Sequence, residues 1–164
     1  MLRRLWELIR PPRFIVWITP ELAVGPRFPA HRIHLLARKG IGSVIDARSE
    51  AADDEAALAA QGLRLLHLPV DDFRPPTQEQ FVAATEWALA EMAAGRKVYV
   101  HCRSGIGRSP SIVSAILMAI DYPLSDAVQT VRKQRPWMTL TDSQQQALAE
   151  SDRYLKTKRA KIET

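Results

Sequence analysis

From Ile15 onward, short blocks of β-branched and aromatic residues alternate with longer stretches whose apolar residues recur at helical spacing. The pattern predicts two short strands between Ile15 and Gly25 around a Thr19-Pro20 turn, a helix from Ala30 to Lys39 ending at Gly40, and a buried strand from Ser43 to Ala47. An acidic, alanine-rich run from Glu50 to Gln61 reads as a second helix closed by Gly62, and Leu63 to Val70 as another strand. After Asp71-Asp72-Phe73-Arg74-Pro75-Pro76, whose prolines fix the path of a loop, an amphipathic helix is expected from Thr77 to Ala94. Lys97 to Val100 reads as a buried strand, Pro110 to Ile120 as an apolar helix and Ser143 to Lys156 as the last helix. Such alternation implies an α/β fold: a central, mostly parallel sheet of about five strands between helical layers, with functional loops at the strand C-terminal ends.

The loop between the strand at 97–100 and the helix at 110–120 holds the densest candidate chemistry, His101-Cys102-Arg103-Ser104-Gly105-Ile106-Gly107-Arg108-Ser109. A strand-to-helix turn leaves the backbone N–H groups of residues 103 to 108 unpaired, and together with the helix dipole they form a concave anion site. Gly105 and Gly107 let the chain wrap without a Cβ clash. Arg108 adds a planar fork able to bind two phosphate oxygens at once, which a lysine cannot do. Cys102 is the only cysteine, and electropositive loops of this kind favour thiolate over thiol. Ser109 is placed to donate a hydrogen bond to the sulfur. The competing reading of Cys102, a buried small hydrophobe, leaves the surrounding arginines and glycines unexplained.

Composition narrows the class. The 164 residues, 46% apolar, suit one well-filled domain. A single cysteine excludes an internal disulfide framework and a cysteine-based zinc site, and it suits a reducing, cytoplasmic compartment. The four histidines show no ligand spacing, so neither metal nor other cofactor is expected. The longest uncharged N-terminal run, Phe14 to Pro20, is too short to span a bilayer. A net charge of +5 suits anionic substrates, and no nucleic-acid motif accompanies it. Residues 1–14 read as a basic amphipathic segment, 15–156 as the catalytic domain and 157–164 as a basic, solvated tail.

Cys-x5-Arg followed by Ser and preceded by His resembles the signature loop of the cysteine-dependent protein tyrosine phosphatase superfamily. The resemblance implies a thiolate attack on phosphorus by Cys102, with the loop residues Arg103, Ser104, Gly105, Ile106, Gly107 and Arg108 holding the phosphate oxygens. It further implies a general acid on a loop about thirty residues before the cysteine, beside an aromatic and a proline pair. Asp72 fits that position best and Asp71 is the fallback; a turn-forming aspartate is the competing reading of either. His101 is expected to orient the loop. Relatives carry an Arg-Pro turn and then a polar loop that positions water, which makes Thr141 and Gln144 candidates, although Thr141 or Asp142 is equally explained as a helix cap.

Length and motifs, including Leu22-Ala23-Val24-Gly25 and Gly40 to Asp46, resemble the small dual-specificity branch, whose shallow pocket admits phosphoserine and phosphothreonine beside phosphotyrosine. A phosphorylated protein or peptide is the expected substrate. Phosphoinositide and phosphatidylglycerophosphate phosphatases share the fold, so anionic phospholipid is the second substrate class. Ser104 and Ile106 stand where inositide-specific relatives often place lysines. Leu2, Leu5, Trp6 and Ile9, on one helical face beside Arg3, Arg4, Arg10 and Arg13, suit peripheral membrane contact through residues 1–13 or packing on the domain, the latter favoured. A phosphate-binding module without turnover would not need the nucleophile, arginine, hydroxyl and acid retained here. A rhodanese-like sulfurtransferase leaves the arginine spacing unexplained.

Overall fold

The computed structural model describes residues 15–162. The segment 1–14 lies outside them. Five strands form one sheet: β1 (Val16–Trp17), β2 (Leu22–Pro26), β3 (Ile41–Arg48), β4 (Arg64–Val70) and β5 (Lys97–Cys102), in the spatial order β1-β2-β5-β3-β4. Only β1 is antiparallel to its neighbour; β2, β5, β3 and β4 run parallel. Six α-helices accompany them among the described residues: α1 (Ile33–Arg38), α2 (Glu55–Ala60), α3 (Gln78–Ala93), α4 (Arg108–Ala119), α5 (Leu124–Gln134) and α6 (Asp142–Ile162).

The period-2 alternation of the strands sorts side chains between two cores. Val98, Val100 and Cys102 face one layer, where Phe81 of α3, Ile112 and Ile116 of α4, Val131 of α5 and Leu148 of α6 pack. Tyr99 faces the other, with Leu36 of α1, Leu58 of α2 and Val44. His101 follows Tyr99 to that second side, the two rings stacked at 5.8 Å. Cys102 and His101 therefore point to opposite faces of the central strand.

The expected α/β/α layers are present, with four departures in detail. The first predicted helix opens as a 3-10 turn over Ala30–Arg32. The helix expected over Glu50 to Gln61 is shorter. It starts only after Asp54, whose side chain accepts the Ala57 N–H at 2.9 Å, because Glu50 and Asp53 are drawn into side-chain contacts that a helix would not allow. α5 was not anticipated, although Leu124, Ala127, Val128 and Val131 trace one helical face and Ala127 and Val131 are buried. The residues read as a solvated tail continue α6 to Ile162, and Arg159 donates to the carbonyls of Met118 and Ala119, satisfying the exposed end of α4.

Phe81 sits at the centre of the larger core with 1% of its surface exposed. Phe81→Ala is expected to cost about 3–5 kcal/mol in chemical denaturation. A loss under about 1 kcal/mol would mean that α3 does not pack on the sheet as described.

Candidate active site

β5 delivers Cys102 to the C-terminal edge of the sheet, and the next residues curl into the start of α4. Gly105 adopts φ +66°, and a Cβ there would lie 2.5 Å from the Gly25 carbonyl carbon. Only glycine fits that crossing. At Gly107 a Cβ would meet the amide of Gln144 at 3.0 Å, a tighter packing than usual but against a side-chain end.

Two hydrogen-bonding groups converge on the sulfur. The Gly105 N–H donates to Cys102 Sγ at 3.2 Å, and Ser109 Oγ lies 3.3 Å away. Cys102 itself is 3% exposed, so the sulfur sits at the floor of the loop. Arg135, also fully buried, closes the loop from behind: its Nε donates to the Gly105 carbonyl and its Nη2 to the Ser104 carbonyl at 2.9 Å. In a trans peptide the carbonyl and the following N–H point opposite ways. By holding those two carbonyls outward, Arg135 turns the amides of Gly105 and Ile106 toward the sulfur side. Burial lowers the pKa of this guanidinium from its usual value, offset in part by Tyr99 and Cys102. The sequence reading treated Arg135 only as half of a turn; nothing local distinguishes a buried loop clamp from a surface arginine.

Arg108 is likewise buried, and Glu50 grips it with both carboxylate oxygens, at 2.7 Å to Nη1 and 2.8 Å to Nη2. Nη1 also donates to the Val70 carbonyl at 2.9 Å. The bond from Arg108 pulls the Glu50 pKa down to about 2, against the opposing effect of desolvation. Asp72 Oδ1 lies 3.2 Å from Nη2, which leaves Arg108 Nε buried and without a partner among the described residues. Asp72 rather than Asp71 thus faces the arginine. The strained Asp loop, with Phe73 at φ 62°, is tied to the start of α6: Thr141 Oγ1 donates to the Phe73 carbonyl at 3.3 Å and Gln144 Nε2 to the Arg74 carbonyl at 3.1 Å. Thr141 also caps α6, accepting the Gln144 N–H at 3.2 Å, as the capping reading of that residue expects.

On the far face, His101 Nε2 lies 2.6 Å from Asp53 Oδ2 and Nδ1 lies 3.3 Å from the Cys102 carbonyl. Arg48 binds Asp46 through Nε and Nη2, both at 2.8 Å, and reaches Asp53 at 2.8 Å. Asp46, Asp53 and His101 offer ligand atoms within 4.8 Å of one another. Arg48 already supplies the cation that these carboxylates need. Sequence reading missed Glu50, Asp53 and Arg48 because the run that carries two of them looks like an ordinary acidic helix.

A buried thiol under inward amides, an arginine in the same loop and a carboxylate across it define a cysteine-based phosphatase, a hydrolase. The family profile of the dual specificity phosphatase catalytic domain matches residues 27–154, and the chain belongs to that family. It is 29% identical over 126 residues to human protein tyrosine phosphatase type IVA 3, covering 75% of this chain and 69% of the relative. To mouse protein tyrosine phosphatase type IVA 2 it is 27% identical over 128 residues, covering 75% and 72%. Among solved structures, Tk-PTP in its active form superposes with a TM-score of 0.80 at 26% identity, over 86% of this chain and 97% of that one. PTPMT1 in complex with PI(5)P shares the fold, with a TM-score of 0.83 at 22% identity, over 89% and 99%.

Two consequences are measurable. Arg135→Ala leaves the Ser104 and Gly105 carbonyls without their buried donor; a stability loss of about 1–3 kcal/mol should accompany a larger proportional fall in phosphatase turnover, and unchanged turnover would remove Arg135 from loop shaping. Glu50 has its folded pKa below the ordinary carboxylate value, so its pairing stabilises the fold in full above about pH 4.5 and loses that contribution as pH falls toward about 2. Acid titration of stability should therefore be shallower over that window in Glu50→Gln than in the parent; superimposable curves would contradict the pairing.

Proposed function

We propose that the chain hydrolyses phosphate monoesters on proteins, phosphotyrosine together with phosphoserine and phosphothreonine, through a cysteinyl-phosphate. The observation that carries this reading is the shared arginine: Arg108 is held by Glu50, faces Asp72 and lies in the same loop as the sulfur. An incoming phosphate takes the free Nε–H of Arg108 and competes with Asp72 for Nη2, while the loop amides of residues 103 to 108 donate to its remaining oxygens. The thiolate of Cys102 then attacks phosphorus, the bond to the leaving oxygen breaks, and Asp72, displaced from Arg108, gives that oxygen its proton. Water attacks the cysteinyl-phosphate, Asp72 takes a proton from it, and the S–P bond breaks to restore the thiolate and release phosphate. Ser109 Oγ supports the departing sulfur. Thr141 and Gln144 hold the acid loop through its Phe73 and Arg74 carbonyls, and His101 with Asp53 holds the strand end from the opposite face.

Exposure of the rim favours the broad protein substrate class. Asp72 and Ile106 are exposed, and among the described residues no long recognition loop walls the sulfur off. A second reading, phospholipid hydrolysis, has its own observation. Exposed Phe73, Ile106 and Trp137 belong to the segments around the sulfur, beside exposed Arg27, Arg74 and Arg103. Moreover, β1 pairs Val16 with Val24 in antiparallel sense, so the first described residues lie at the sheet end that carries Cys102.

The test compares rates on phosphotyrosine peptides, phosphoserine and phosphothreonine peptides, and phospholipid vesicles. Peptides are expected to be turned over faster; vesicles alone being hydrolysed would replace the first reading by the second. Cys102→Ser should abolish turnover of an aryl phosphate. Asp72→Asn should slow it by about 10²–10⁴-fold and flatten the basic limb of its pH profile. If Asp71→Asn instead shows that signature, the acid is one residue earlier.

A further inference from the structure

Beside the phosphate loop lies a second concavity of about 250 Å3, lined by Arg27, Arg48, Glu50, Ala51 and Arg103. Its charges do not balance. The Arg48 guanidinium is neutralised by Asp46 and Asp53, and the Glu50 carboxylate by Arg108. Arg27 and Arg103 are both exposed, and neither guanidinium has a hydrogen-bond or ion-pair partner among the described residues. Two positive charges are thus left facing one hollow, where they attract an anion from solution.

Their proximity is built in. β2 and β5 pair in parallel up to Pro26 opposite Cys102, and one residue further the Arg27 N–H donates to the Arg103 carbonyl at 3.3 Å. Both arginines therefore stand at the end of the strand pair that delivers the nucleophile. Glu50 is the wall between the two sites: it lines the hollow, and its carboxylate reaches across to Arg108. A volume several times the roughly 30 Å3 share of a water molecule accommodates a phosphoryl group with residual hydration.

We infer that Arg27 and Arg103 form a second anion subsite, which binds another phosphoryl group on the same substrate while Cys102 attacks the first. The inference rests on the phosphatase reading of the Cys102 loop, and it selects substrates carrying two phosphates close together over those carrying one. Guanidinium suits the task because its fork binds two phosphoryl oxygens. Arg103 already contributes its backbone to the catalytic loop, so Arg27 is the residue that separates the two functions.

Hydrolysis of an aryl phosphate is measured in the presence of two competitor pairs, a peptide bearing one or two neighbouring phosphates and a soluble inositol bearing one or two. In the parent protein the doubly phosphorylated member of at least one pair is expected to compete about tenfold more tightly than its partner, and the pair that shows the gain identifies its source. Arg27→Gln should erase that gain while leaving aryl phosphate turnover unchanged. Equal competition within both pairs in the parent protein would overturn the subsite, as would a gain that survives Arg27→Gln. Loss of all aryl phosphate turnover in the parent protein would instead overturn the phosphatase reading, and peptide hydrolysis, scored separately, decides the protein substrate class.

Discussion

The phosphate loop depends on a cation placed where solvent cannot reach it. Arg135 comes from the segment after α5 and holds the backs of Ser104 and Gly105. Left to itself, a glycine-rich turn samples many backbone states, and ordering each residue costs about 1–2 kcal/mol. A buried guanidinium makes carbonyls that point elsewhere costly, since its donors would then lack acceptors. The same contact brings a penalty, because one nitrogen of Arg135 stays unpaired and burial disfavours its charge. Trp137, whose ring lies 5.2 Å from the guanidinium carbon, offsets part of it through a cation–π contact.

Arg108 continues that logic on the substrate side. A flexible arginine would lose side-chain entropy each time it closed on a phosphate. Glu50 and the Val70 carbonyl fix it in advance, and a carboxylate that remains 40% exposed does so without sealing the site. Both Glu50 and Asp53 lie in the non-helical stretch after β3, between Arg48 and the cap of α2. One short segment therefore serves both faces of β5: Glu50 holds the arginine of the catalytic loop, and Asp53 holds the histidine behind the cysteine.

These contacts explain what was legible in the chain and what was not. Strand positions, the sheet's parallel character and the Cys102 loop follow from local periodicity and from residue types whose chemistry has few alternative uses. The Asp71-Asp72 loop was legible because its aromatic and proline neighbours mark it, while the preference for Asp72 came from the family resemblance. Glu50 and Asp53 were hidden by helix-like composition around them; the preference of alanine and glutamate for helix is worth tenths of a kcal/mol per residue, less than the ion pairs and hydrogen bonds that unwind the stretch. Arg135 was hidden for a different reason. Its acceptors lie thirty residues earlier in sequence, and only the tertiary fold shows that a turn arginine has become a buried clamp.

Position along β5 also sets how the site meets its substrate. Alternation sends Cys102 toward the larger core and His101 toward the smaller one, so the histidine supports the loop without occupying space above the sulfur. Asp72, Ile106 and Trp137, in the loops that flank it, are exposed to solvent. With the polar support buried and the rim exposed, recognition falls to side chains at the edge. The aromatic and aliphatic side chains there supply contact area, and the exposed Arg27, Arg74 and Arg103 supply charge. A rim of exposed side chains around a buried sulfur lets the groups beside a phosphate contribute to selectivity, the role proposed for Arg27 and Arg103.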